Sequence, residues 1–145
     1  MERRTHQRQA VTDALEHSGQ VLSPMEILAR AQAVAPSLNL STVYRQIKAL
    51  HDKQQIVKVE LPGQAARFEA VCHATQAAKP DHHHHYFHCG DCDRVFSMHA
   101  CPGKMDHLAP AGFEVWRHDL TLHGRCAGCV ARAGGHEQRS TRTTR

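Results

Sequence analysis

"LNLSTVYRQIKAL", Leu38 to Leu50, decides how the first half of the chain folds. Leu40, Val43, Ile47 and Leu50 recur at helical spacing and fall on one face. Asn39 or Ser41 can cap the start, its side-chain oxygen accepting an orphan backbone N–H. The other faces carry Ser41, Thr42, Tyr44, Arg45 and Lys48. That set suits a major groove: Arg and Lys reach phosphates or guanine edges, and Tyr a base methyl or a phosphate. A charged helix face alone is ordinarily just solvated, so its neighbours decide the reading.

Upstream, Thr5 to Ser18 shows an apolar stripe of Ala10, Val11, Ala14 and Leu15. "SPME", Ser23 to Glu26, offers a cap, a first-turn proline and a capping-box glutamate. The helix it opens is expected to run to Val34 and to stop before Pro36. Downstream, "IVKVELPGQAARFEAV" reads as two short strands joined by a turn at Pro62-Gly63. Three helices and then a hairpin is the order of a winged helix-turn-helix module, with Leu38–Leu50 as its recognition helix. Arg3, Arg4 and Arg8 stand where they can reach a DNA backbone or minor groove.

The 145 residues allow one compact domain or two small ones. Hydrophobic content of 41% with only 5% aromatics argues against a single large core. Small domains with modest cores lean on a metal or a partner subunit. A net charge of +4 is compatible with nucleic acid. No apolar stretch approaches the roughly 20 residues that span a bilayer. "MERRTHQRQAV" has no hydrophobic signal region, so the expectation is a cytoplasmic protein with no membrane partner.

Composition changes near residue 72. Six cysteines are present, Cys72, Cys89, Cys92, Cys101, Cys126 and Cys129. In a reducing compartment such cysteines more often bind metal than form disulfides. "CGDC" (Cys89, Cys92) and "CAGC" (Cys126, Cys129) can together close a tetrahedral shell around Zn²⁺. A filled four-sulfur shell leaves no position for water, which argues for a structural site. Two redox dithiols are the alternative for the same residues. Ahead of the first pair runs "PDHHHHYFHCGDCDRVF", Pro80 to Phe96. In an extended chain His83 and His85 point one way and His82 and His84 the other, so one run can serve two metal sites. A zinc hydrolase would carry an open metal position with a carboxylate base, as in His-Glu-x-x-His. No such motif occurs, and the expectation is that the protein is not an enzyme. A metal store or redox switch would not need a winged helix.

The fold class expected is α+β. A winged-helix domain spans 1–71, a hinge 72–81, and an α/β dimerisation and metal-binding domain 82–131. The tail 132–145 is poor in apolar residues and expected to be disordered. In the second half, strands are expected around His84–Cys89 and at "RVFSMH". A short helix should follow Cys101 and end before Gly112, and a strand should cover Phe113–Gly124.

These residues carry a resemblance. "THQRQAV", "LSPMEIL", "LNLSTVYRQIKAL", "IVKVELPGQAARFE", "HHHHYFHCGDC" and "GFEVWRHDLTLHGRCAGC", spread over residues 5–129, resemble the ferric-uptake-regulator family of bacterial metal-responsive repressors. The zinc-uptake branch is the most similar. The resemblance implies a homodimer that binds palindromic operators in double-stranded DNA when a regulatory metal is bound. It implies DNA contacts at Tyr44 and Arg45, and a structural Zn²⁺ on Cys89, Cys92, Cys126 and Cys129. It implies a regulatory hinge site drawn from Glu69 or Cys72 with His83 and His85, and a further site near His82, His84 and His118. A metal bridging the hinge would fix the angle between the domains. The chain also departs from the family pattern. Its histidine motif lacks the acid common in iron and peroxide sensors. Ser97 and Cys101 stand where acids are usual, and an extra residue precedes Cys89. Nitrogen and sulfur donors favour Zn²⁺ over Fe²⁺ as the regulatory ion, with iron(II) or peroxide sensing the alternative.

Overall fold

The computed structural model describes residues 2–71 and 83–140; the expected hinge, with Cys72 and His82, lies outside the described residues. The chain divides into two compact units, Met1–His84 and His85–Arg145.

The first unit holds α1 (Glu2–Glu16), β1 (Gln20–Val21), α2 (Pro24–Ala31), α3 (Leu40–Asp52), β2 (Ile56–Val59) and β3 (Arg67–Ala70). α2 starts as its sequence dictates. Ser23 Oγ accepts the Glu26 N–H at 3.3 Å, and the Ser23 N–H donates to Glu26 Oε2 at 2.8 Å. α2 ends at Ala31, and the expected extension to Val34 is a turn instead. At α3, Asn39 is the cap, accepting the Thr42 N–H at 2.9 Å. β2 and β3 pair antiparallel, with Ile56 opposite Ala70 and Val59 opposite Arg67. The turn between them has Pro62 followed by Gly63 at φ +73°, and the Gln64 N–H donates to the Leu61 carbonyl at 3.1 Å. Proline fixes the first central position and glycine alone takes the second without strain. Leu22 and Phe68 exchange backbone hydrogen bonds of 2.8 Å, which ties the α1–α2 connection to the hairpin. All of this encloses one core, in which Val11, Leu22, Ile27 and Val43 are fully buried. Arg67 is buried beneath it and pairs with Glu26 at 2.8 Å, so the capping-box glutamate also anchors the hairpin.

The second unit holds β4 (His85–Cys89), β5 (Val95–Met98), a 3₁₀ turn at Asp106–Leu108, β6 (Thr121–Gly124) and α4 (Ala127–Ser140). β5, β4 and β6 lie side by side in that order. β4 pairs antiparallel with β5 and parallel with β6, where His88 faces His123 and Cys89 faces Gly124. Gly124 packs closely on Phe87: a Cβ there would lie 3.2 Å from the ring, which would have to give way slightly.

Three expectations are corrected here. The helix expected after Cys101 shrinks to the 3₁₀ turn, because Gly103 sits at φ +89° and Pro110 cannot continue a helix. The strand expected over Phe113–Gly124 forms only at Thr121–Gly124; among the described residues no strand pairs with its first part, where Phe113 and Trp116 are 65% and 90% exposed. The segment from Arg132, expected to lack order, continues α4 to Ser140; Ala127, Ala131, Arg132 and Ala133 are strong helix formers.

Ile27 contributes a fully buried side chain between the helices. Ile27→Ala should destabilise the first unit by about 2–5 kcal/mol, seen as a lower urea midpoint with an unchanged slope.

Candidate functional site

Three arrangements carry the chemistry: a sulfur cluster, a histidine–cysteine cluster, and the outer face of α3.

The sulfur cluster forms where the end of β4 and the start of α4 meet. Cys89 closes β4 and Cys92 follows a tight turn, while Cys126 and Cys129 open α4. Cys89 Sγ lies 3.7 Å from Cys129 Sγ, and Cys92 Sγ 3.8 Å from Cys126 Sγ. All four sulfurs fall within 4.8 Å of one another. A Zn–S bond of about 2.3 Å places the corners of a tetrahedron roughly 3.8 Å apart, and a disulfide would need about 2.05 Å. The spacing therefore fits an S₄ zinc shell and excludes bonded pairs. Cys89 and Cys129 are buried, and Cys92 and Cys126 are half-buried.

The local fields differ from sulfur to sulfur. The Cys126 N–H donates to Cys89 Sγ at 3.3 Å, and with the backbone at Cys92 it lowers the Cys89 thiol to about 6. Backbone hydrogen bonding within its own turn likewise lowers Cys126. Burial, then the neighbouring sulfurs, pushes Cys129 up to about 12, although Arg132 donates to it at 2.8 Å. Cys92 is also raised, burial and the sulfurs of Cys89 and Cys126 outweighing its hydrogen bond from the Arg94 backbone.

The second cluster is built on the other end of β4. His85 is fully buried, and its Nε2 lies 3.1 Å from Nε2 of His118, the two rings stacked at 4.9 Å. Cys101 Sγ lies 3.3 Å from the same His118 nitrogen. The three donors are mutually within 4.8 Å. His83 is exposed, two residues before His85. One residue earlier in the chain than His85, His84 takes a different partner: its Nδ1 lies 3.1 Å from Glu69 Oε1, both side chains largely buried.

The sequence grouped Glu69 or Cys72 with His83 and His85, and His82 and His84 with His118. The structure keeps His83 with His85 in one candidate group but brings His118 to them, and it sets Glu69 against His84. Strand alternation separates neighbouring histidines correctly but carries no information on which face meets which distant residue. Cys101, which the sequence left without a role, joins His85 and His118. Its one sequence signal is that it is a cysteine outside both Cys-x-x-Cys pairs.

On α3, Ser41, Tyr44, Arg45 and Lys48 are exposed, Tyr44 to 54%. Lys48 pairs with Asp52 at 2.9 Å. Arg8 on α1 is exposed as well. Thr42 departs from expectation: it is only 8% exposed, on the flank of the apolar stripe beside Val43, and Arg45 donates to its hydroxyl at 3.3 Å. It orients Arg45 rather than facing outward. Among the described residues no helix is long and apolar enough to cross a membrane.

Comparison with known proteins gives consistent matches. The model of the Ferric uptake regulator family matches residues 2–123. The Ferric uptake regulation protein of Brucella suis biovar 1 (strain 1330) is 30% identical over 121 residues, 82% of this chain and 81% of the relative. A solved structure of a zinc-bound manganese uptake regulator superposes with a TM-score of 0.66 at 25% identity, covering 83% of this chain and 87% of the other. A zinc uptake regulator solved in complex with zinc and DNA gives 0.52 at 25% identity, covering 88% and 83%.

Binding zinc at the sulfur cluster must displace the protons of the raised thiols, Cys129 and Cys92. Zinc affinity should therefore fall as pH falls, and proton release on zinc uptake should be measurable by calorimetry in buffers of different ionisation enthalpy. Cys126→Ser should lose tightly bound zinc and with it the cooperative unfolding of the second unit.

Proposed function

The chain belongs to the ferric uptake regulator family and is a metal-responsive, DNA-binding transcription regulator; we propose that it is a repressor that senses zinc. The observation that carries this reading is the donor set of the second cluster. Two imidazoles and a thiolate converge there, with His83 two residues along the chain as a fourth donor. Among the described residues no carboxylate belongs to that set. Imidazole and thiolate suit zinc, whereas iron(II) accepts more oxygen. Cys89, Cys92, Cys126 and Cys129 hold a separate, structural Zn²⁺ in this reading. The zinc uptake regulator solved with zinc and DNA is the kind of relative it anticipates. Cytoplasmic action follows from it.

Tyr44, Arg45, Ser41 and Lys48 on α3 are the proposed groove-facing residues, with Arg8 on the DNA backbone. A homodimer would present two such helices to a palindromic operator, its half-sites about 34 Å apart or a multiple of that. Exposed apolar side chains in the second unit support self-association: Leu108, Phe113 and Trp116 are 70%, 65% and 90% exposed. The metal's effect is argued from the chain itself. His84 is held by Glu69 and the next residue, His85, by His118. Metal on the His85 side would fix the peptide at which one unit passes into the other, and so restrict the angle between the two DNA-reading helices of the dimer.

A second reading is favoured by one observation. Glu69 brings a carboxylate to His84. A site built there would offer the oxygen donor that iron(II) prefers.

DNA binding measured against buffered free zinc and, under anaerobic conditions, iron(II) separates the two. Cys101→Ser should weaken the zinc response at least about tenfold while leaving the structural zinc in place. If Cys101→Ser responds to zinc as the parent does and Glu69→Gln does not, the regulatory site is the one at Glu69. Arg45→Ala should cost about 1–3 kcal/mol of operator binding with metal content unchanged. Trp116→Glu should shift the sedimentation equilibrium toward monomer.

A further inference from the structure

One group of ligand-type side chains is used by none of these sites. His88 on β4 and His123 on β6 face each other across the parallel strand pair. Their Nδ1 atoms are 3.4 Å apart. The other nitrogen of His88, Nε2, lies 2.7 Å from Asp93 Oδ1. We propose that His88 and His123 form a further metal site, taking a borderline divalent cation such as Zn²⁺, Ni²⁺ or Cu²⁺ on their Nδ1 atoms, with Asp93 as the positioning residue.

The distance is the first argument. Two nitrogens bound at about 2.0–2.1 Å to one tetrahedral ion stand roughly 3.4 Å apart. The second is the carboxylate. Histidines that ligate metals characteristically give their other ring nitrogen to a carboxylate, which fixes the tautomer and raises the basicity of the ligating nitrogen. Asp93 does this to His88, and it leaves Nδ1 as the free-lone-pair nitrogen. The third is where the backbone places Asp93. It takes a left-handed backbone, φ +59°, and its N–H donates to the Cys89 carbonyl at 2.9 Å. The turn that presents Cys92 to the sulfur cluster therefore also sets Asp93 against His88. The site is nonetheless separate from that cluster: His88 and Cys89 are successive strand residues and point to opposite faces of β4.

The chemistry limits the ligand. Two imidazoles suit zinc, nickel and copper, while magnesium and calcium demand oxygen donors. The His88 side chain is 16% exposed and His123 is exposed, so ions reach the pair from solvent and water completes the coordination. With two protein donors the site binds more weakly than the four-sulfur shell and fills only after it. Without an ion the same distance is served by a proton shared between the rings, and the experiment has to separate the two states.

Full-length protein with its sulfur-site zinc retained is dialysed against Ni²⁺, alongside His123→Asn and Asp93→Asn. The donors of every other site are the same in all three, so they cancel in the difference. The parent should bind one Ni²⁺ more per chain than His123→Asn at equal zinc content. Asp93→Asn should keep the extra ion with affinity lowered about 10–100-fold. In the parent, ¹⁵N-detected imidazole resonances on Zn²⁺ addition should move at Nδ1 of His88 and His123. Equal Ni²⁺ uptake by parent and His123→Asn, or Nδ1 resonances that stay those of a hydrogen-bonded pair at saturating Zn²⁺, would overturn the proposal.

Discussion

Four sulfurs within 4.8 Å of one another are the constraint on which the second unit depends. The hydrophobic core cluster lies wholly in the first unit. Among the described residues of the second, the buried apolar side chains are Cys89, Val95 and Cys129. One buried valine contributes about 1.5–3 kcal/mol, whereas a structural zinc contributes about 10–16 kcal/mol of apparent binding energy. The comparison decides what holds the unit together. Its cysteines take the place of a core, and a metal-free second unit has little apolar burial to set against the entropy of ordering its strands.

The clamp also sets register. Cys89 ends β4, and Cys126 lies just beyond β6. Joining them fixes how far β6 slides along β4, and the pairing of Phe87 with Leu122 and of Cys89 with Gly124 follows. The Gly90 N–H to Gly124 carbonyl bond of 2.8 Å and the close fit of Gly124 on the Phe87 ring hold the same register locally. His118 precedes β6 and meets His85 at the start of β4, so the histidine–cysteine cluster inherits its alignment from the sulfur site. A slip of one residue would turn His85 to the opposite face. The sulfur cluster thus sets the alignment of the His85, His118 and Cys101 donors.

Much of the first unit was legible because its signals are local. The capping box at Ser23–Glu26, the Asn39 cap and the Pro62-Gly63 turn each depend on residues within four positions, and each forms as read. The pairing of the two Cys-x-x-Cys motifs was legible too, since coordination chemistry supplies the long-range contact that periodicity cannot. The rest needed tertiary information. Alternating apolar residues from Phe113 onward look like a buried strand, but alternation reports a face and not what covers it, and Trp116 is 90% exposed. Thr42 reads as polar and outward, yet at its place beside Val43 it is buried against the helix it belongs to. Cys101 is brought to His118 by an irregular segment whose path has no periodic signal.

β4 shows how much function one short strand can carry when its register is fixed. Reading along the chain, His84 turns to Glu69, His85 to His118 and Cys101, His88 to His123 and Asp93, and Cys89 to the sulfurs. Adjacent residues serve different centres because successive side chains leave opposite faces. That arrangement makes the centres mechanically linked without any shared ligand. Tightening the strand at its Cys89 end limits the motion available at His85, a few residues away.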